Sequence, residues 1–330
     1  MTLKNTALAL CGSLMPDFYS PPAGVLFPFG HIVSDMSPAH VRHLYSVPST
    51  AKFREDIEYL CRHSQPLEIG ELERLPQLRR RNVSARSFVL SFDDGMREVY
   101  DVIAPALVKK GLSAILFLNS ATINNKRLMW RNKVSLVIER SKQQPGRFPP
   151  QLSGRTGGTL QAKLSALRFA DEALIDEVAR FFELDFDEYL RIAKPYLTTD
   201  QILALARDGF EFGGHSESHP YLQEMPIEDQ KTQILESVRF IRSLGLPCRY
   251  FAFPFHDNGL PASLFTYLKD LNLVLSFGTS DAKVDSIAFS FQRFALDGEN
   301  ATVSVRDILR GLSTKSLART LTRTKTIWRT

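Results

Sequence analysis

Four short runs in this chain are dominated by apolar residues, and each ends on side chains that can do chemistry. Runs 24–30, 87–92, 210–213 and 249–253 lead into His31, into Asp93 with Asp94, into His215 with His219, and into Pro254-Phe255-His256. Strands that are apolar on both faces belong to parallel sheets covered by helices. Stretches with helical spacing lie between them: 49–63 capped by Ser49, 96–110 bent by Pro105 and stopped by Gly111, 198–209 opened by a Thr198/Gln201 capping box, 227–244, and 261–271. Further strands are expected at 114–118, 274–277 and 288–294. Strand–helix alternation with right-handed crossovers predicts an α/β fold. In a parallel (β/α) barrel the C-terminal strand ends meet on one face, so the four chemical groups would converge.

Between 120 and 196 the alternation breaks. Residues 129–138 have helical spacing, 144–158 form a Pro- and Gly-rich loop, and short helical patterns follow. This reads as a helical insertion packed on the barrel, where irregular segments shape clefts. The expected organisation is one domain, with its core at about 24–295, the insertion at 120–196 and a basic tail at 301–330.

The tail matters for charge. The chain of 330 residues carries a formal net charge of +5, and residues 301–330 hold Arg306, Arg310, Lys315, Arg319, Arg323, Lys325 and Arg329 against Asp307 alone. The remainder is therefore close to neutral, which argues against nucleic-acid binding through a basic face. The tail, with Leu317, Leu321, Ile327 and Trp328 interleaved, is either a frayed, solvated terminus or a segment in peripheral contact with an anionic membrane. Cys11, Cys61 and Cys248 are scattered with no CxxC pair, which argues against a cysteine zinc site and a disulfide framework. The apolar stretch Thr6 to Leu14 is short for a signal sequence, and no run approaches the roughly 20 apolar residues that span a bilayer. A cytoplasmic protein is expected.

Asp93-Asp94 places two like charges side by side, an arrangement that calls for a cation. Taken alone it also reads as a turn and a helix cap. His215 and His219, four residues apart, would project from one side of a helical turn and suit two ligands on one metal. A carboxylate added to them makes a His₂Asp site with an open position.

These motifs resemble the polysaccharide deacetylases, the NodB-homology carbohydrate esterases. Ser91-Phe92-Asp93-Asp94-Gly95 matches their first motif and His215-Ser216-Glu217-Ser218-His219-Pro220 their second. Phe251-Ala252-Phe253-Pro254-Phe255 and Gly30-His31-Ile32-Val33 are similar to segments of one branch. The resemblance implies a distorted (β/α) barrel that removes an acetyl group from an N- or O-acetylated sugar or polysaccharide, in bacterial surface-polysaccharide metabolism. It implies Asp94, His215 and His219 as ligands of a divalent metal, with Zn²⁺ the default and Co²⁺, Ni²⁺ or Fe²⁺ acceptable. Asp93 would be the general base and the Phe255 backbone N–H an oxyanion donor.

Two departures follow. Ala252 stands where the better-known members carry the arginine that steadies the base, so Arg293 is either its substitute or a surface residue. No histidine follows His256, so the usual late acid is absent and His31 becomes the candidate, with His256, which replaces a glycine, as runner-up. Trp130 is read as a ring that stacks on the sugar, or as core. Rival functions are deformylation, or another amide hydrolysis, on a nucleotide- or lipid-linked sugar, and non-catalytic glycan binding.

Overall fold

A computed structural model describes residues 19, 21, 24–78 and 87–330; Cys11 and the stretch from Thr6 to Leu14 lie outside these. Eight strands form one parallel sheet. In chain order they are β1 (Pro28–Gly30), β2 (Leu90–Phe92), β3 (Ala114–Leu118), β4 (Glu211–Gly214), β5 (Cys248–Ala252), β6 (Leu275–Gly278), β7 (Ser290–Gln292) and β8 (Phe294–Ala295). Their spatial order is β7-β6-β5-β4-β3-β2-β1-β8. The two outermost strands are consecutive in sequence, so one short segment joins both edges and nearly closes the sheet into a barrel.

Period-two alternation sorts each strand between two cores. Ala114, Leu116 and Leu118 of β3 face the helices, and Phe251 of β5 does the same. Ile115 and Phe117 of β3 and Tyr250 and Ala252 of β5 fill the barrel with Leu275, Phe277 and Phe291. Phe117 fills so much of the interior that a Cβ on Gly213 would lie 2.5 Å from its ring and 2.8 Å from the Tyr250 carbonyl oxygen. Glycine is required there by space.

Three expected elements differ in detail. Run 24–30 breaks at Phe27, and run 87–92 breaks at Val89 at the same level. Val25–Leu26 pairs with Ser87–Phe88 in a side sheet, whereas β1 pairs with β2 in the barrel. The helix expected over 96–110 carries a π turn at Val99–Ile103, with the Ala104 N–H donating to the Val99 carbonyl, and then an α-helix at Ala104–Val108. Pro105 cannot donate, so the ladder widens just ahead of it. Run 288–294 divides at Arg293, because its halves pair with opposite edges of the sheet.

In the insertion, the Trp130–Lys142 helix packs on the Glu172–Phe181 helix. Their apolar faces share one core with Ile32, Val41 and Met96 of the barrel loops. The Leu197 N–H donates to the Gly95 carbonyl at 2.9 Å, which ties the end of the insertion to the turn after Asp94.

The tail is not a frayed terminus. Val305–Leu321 is a helix capped by Ser304, and it buries Val305, Ile308, Leu309 and Leu312. The chain then adds a two-residue strand, Thr326–Ile327, beside Val284–Asp285. The Arg329 guanidinium sits between the carboxylates of Asp257 and Asp285 in a fully buried ion pair. Apolar spacing on one helix face and a buried arginine anchor hold what charge alone suggested was solvated. Leu317, Leu321 and Trp328 remain exposed. Among the described residues no helix is long and apolar enough to cross a membrane.

Candidate active site

The strand ends do converge. His31 follows β1, Asp93 and Asp94 follow β2, His215 follows β4, and Arg293 lies between β7 and β8. A cavity of about 340 Å³ opens among them, lined by His31, Tyr45, Asp94, Arg131, His219 and Phe255, with others.

At its floor Asp94, His215 and His219 are all buried, and one potential ligand atom from each lies within 4.8 Å of the other two. The Asp94 Oδ1 is 3.6 Å from His215 Nε2 and 3.4 Å from His219 Nε2. His215 Nδ1 lies 2.8 Å from the Ala252 carbonyl, which can only accept, so Nδ1 carries the proton and Nε2 presents a lone pair inward. Burial lowers the pKa of His215, and lowers that of His219 well below the usual histidine value. Both rings are therefore held neutral, as ligation needs. The buried Asp94 Oδ1 has no hydrogen-bond partner among the described residues. Burial, with help from Asp93 and Asp297, raises the Asp94 carboxyl against the charge of His31, and a bound cation would reverse that shift. An orphaned carboxylate oxygen facing two neutral imidazoles is a donor set that fits a divalent metal.

Asp93 is held differently. Its two carboxylate oxygens each accept from the Arg293 guanidinium at 2.7 Å, and the same arginine donates to Ser91 Oγ at 3.1 Å. Arg293 is 1% exposed and Asp93 2%. The guanidinium lies 4.3 Å from the Phe29 ring centroid and 5.2 Å from that of Phe117. Burial opposes charge on Asp93, but the Arg293 guanidinium, through its charge and its hydrogen bonds, overcomes it and holds the carboxyl below its usual range. Across the cavity, His31 Nδ1 lies 2.7 Å from Asp297 Oδ2, which also accepts the His31 backbone N–H at 2.8 Å. Burial works to lower this imidazole's pKa, and Asp297, Asp94 and Asp93 together raise it to about 10.

Strain gathers here. Asp94, His219 and Phe255 have φ of 72°, 59° and 56°, a region non-glycine residues avoid. Such geometry persists only where the surroundings impose it.

A family model described as polysaccharide deacetylase matches residues 80–274, more than half of the chain. The chain belongs to the polysaccharide deacetylase family. Membership indicates a carbohydrate esterase, a hydrolase. Solved structures agree in fold. Streptococcus pyogenes deacetylase PplD, in complex with acetate, is 16% identical with a TM-score of 0.53, and the match covers 90% of this chain and 97% of that one. IcaB from Ammonifex degensii is 15% identical with a TM-score of 0.55, covering 87% and 97%. A polysaccharide deacetylase from Bacillus cereus is 12% identical with a TM-score of 0.53, covering 87% and 68%. No curated protein matches the sequence.

The structure brings seven of the nine sequence candidates to the cavity or against it: His31, Asp93, Asp94, His215, His219, Phe255 and Arg293. The Phe255 ring stacks on Tyr221 at 3.7 Å and meets His219 edge-on at 4.5 Å. Its carbonyl accepts from Thr279 Oγ1 at 2.6 Å, which fixes that turn. Trp130 does not line the cavity. It is buried, and its indole N–H donates to the His219 carbonyl at 2.9 Å, so it braces a candidate ligand instead of meeting a sugar. His256 also lies outside the cavity, bonded through its carbonyl and ring to Gln223.

Asp297, Tyr45, Arg131 and Tyr221 escaped the sequence reading. The run Phe294-Ala295-Leu296-Asp297 has the same apolar-then-acid form as the approach to Asp93, and that signal was available for Asp297. Tyr45 sits in an irregular stretch without periodicity, and its buried hydroxyl has no partner among the described residues.

Proposed function

We propose that this member of the family is a metal-dependent deacetylase that removes the acetyl group of an N- or O-acetylated sugar or polysaccharide, within bacterial surface-polysaccharide metabolism. The observation that carries the reading is the division of labour in the acidic pair: Asp94 faces two neutral imidazoles, while Asp93 is ionised and fixed by Arg293. Asp94, His215 and His219 would hold a divalent ion, Zn²⁺ by default, with Co²⁺, Ni²⁺ or Fe²⁺ as alternatives. When bound, such an ion polarises the acyl oxygen and lowers the pKa of water.

The chain's own residues then divide the proton traffic. Asp93, ionised and aimed by two hydrogen bonds, accepts the proton of the water that attacks the acyl carbon. The Phe255 N–H donates to the oxygen on which charge develops. His31 gives a proton to the leaving nitrogen or oxygen as the acyl bond breaks, and Asp297 keeps that imidazole protonated and oriented. Acetate and the free amine or hydroxyl are the products.

The test is acetate release from acetylated sugars by the purified protein, with metal content measured in parallel. Asp94→Ala and His215→Ala are expected to lose both metal and turnover, while Asp93→Asn keeps the metal and loses turnover. Wild-type rates in Asp93→Asn would remove Asp93 from the role of base. Formate release in place of acetate would change the acyl group. A protein that binds no metal and hydrolyses no acyl sugar would overturn the reading.

A further inference from the structure

Several cations of the insertion are held in ion pairs. Arg127 pairs with Glu172 at 2.6 Å, Lys133 with Glu172 and Asp176 at 2.8 Å each, and Arg155 with Asp171 at 2.6 Å. Arg131 and Arg168 have no carboxylate at ion-pair distance among the described residues. Both lie against the aromatic wall of the catalytic cavity. The Arg131 guanidinium is 5.5 Å from the Trp130 centroid and 5.5 Å from that of Phe255, with Nη1 3.5 Å from Tyr221 Oη. The Arg168 guanidinium is 5.1 Å from the Tyr221 centroid. Tyr221 and Phe255 are themselves stacked, so the two arginines attend one aromatic unit.

Arg131 lines the same cavity as Asp94 and His219. The other acids at that site have their own cations, Asp93 taking Arg293 and Asp297 taking His31. A guanidinium laid on an aromatic ring keeps its in-plane N–H groups for an acceptor and presents them as a fork. The fork matches an oxyanion with two coplanar oxygens. Half-buried beside a sugar-sized space, it is a donor group awaiting an anion from the ligand.

We infer that the sugar deacetylated here carries an anionic group, a carboxylate or a phosphate ester, that docks on Arg131 while its ring lies against Tyr221 and Phe255. Arg168, exposed and over the Tyr221 ring, adds positive charge beside the same aromatic unit. The inference rests on the deacetylase reading for the identity of the ligand as a sugar. The anion site itself is independent of that reading.

The experiment compares N-acetylglucosamine, its 1-phosphate and an N-acetylated aminouronic acid as substrates for the wild type, Arg131→Gln, Arg131→Lys and Arg168→Gln. Wild type is expected to prefer one charged sugar in kcat/KM, chiefly through KM. Arg131→Gln should cut the charged-over-neutral preference by about ten- to a hundredfold, the range for hydrogen bonds to a charged group. Arg131→Lys should lose less, since it keeps the charge and gives up the fork. Whichever charged sugar shows the larger loss identifies the anion. Equal kcat/KM for neutral and charged sugars, or an Arg131→Gln loss that is the same for all three, overturns the inference and leaves the deacetylase reading standing. If no acyl sugar is hydrolysed, calorimetry with glucose 1-phosphate, glucuronate and glucose decides the anion site alone: binding that Arg131→Gln weakens for the charged sugars supports it, and no such binding sinks it.

Discussion

Replacing Arg293 by glutamine puts the most at risk. The side chain gives Asp93 two bonds of 2.7 Å in a fork, with both partners almost wholly excluded from solvent. Glutamine offers one neutral donor group and leaves a buried carboxylate without its counter-charge. Removing one partner of such a pair costs about 3–5 kcal/mol of stability. The loss of an aligned, ionised base costs about 10²–10⁴ in turnover. The sign with pH follows from the direction of the shift. Asp93 is held below its ordinary value, so the pair's contribution is complete above the unfolded carboxylate pKa of about 3.9 and is lost as pH falls through the depressed one. Without Arg293, burial governs and the carboxyl rises, so the acid loss moves to higher pH. Urea denaturation of wild type, Arg293→Gln, Asp93→Asn and the double variant gives the coupling energy, and acetate release gives the rate. Additivity within about 0.5 kcal/mol, or an Arg293→Gln rate within tenfold of wild type, would refute the idea that the arginine holds the base.

Other outcomes are as specific. His40 is buried against Tyr189, with Nδ1 at 2.9 Å from the phenol oxygen, and burial with the charge of Arg97 lowers its pKa from 6.5 to about 4. Its contribution is whole above pH 6.5 and fades as pH falls toward 4; the gap corresponds to roughly 3 kcal/mol, and His40→Gln should flatten the denaturation midpoint over that window. His31→Gln should lower kcat by about 10²–10⁴ on a substrate with a poor leaving group and much less on an activated phenyl ester, which a comparison of the two substrates reads directly. Arg329→Gln leaves two buried carboxylates facing each other, and thermal unfolding should show a loss of about 3–5 kcal/mol.

The barrel was legible because its strands are apolar on both faces and its helices keep their period. The Ser49 cap and the Thr198/Gln201 box stand where the residue types placed them. The acidic pair and the two histidines were legible for a related reason: strand ends are local features, and topology brings them together. What escaped is non-local. Nothing in the spacing tells that Phe27 and Val89 break in step, or that run 288–294 serves two edges. The tail misled because charge was weighed without its partners, and Arg329 finds Asp257 and Asp285 only after the chain has wrapped round. For Trp130 the sequence left two readings open, sugar contact or core, and the structure has it buried. A buried ring can stand behind the wall of a cavity, and its bond to the His219 carbonyl tells which side it occupies.

The seam of the barrel carries its own consequence. Three residues on one side of Arg293 bind β6, and two on the other bind β1. The stitch that shuts the cylinder is thus also the stitch that arms the acidic pair. Asp93, Asp94, His215 and His219 all precede residue 293 in the chain, so Asp93 stays without this counter-charge until the last two strands pair. If Asp93 is the base, as proposed, turnover would report whether the seam is shut.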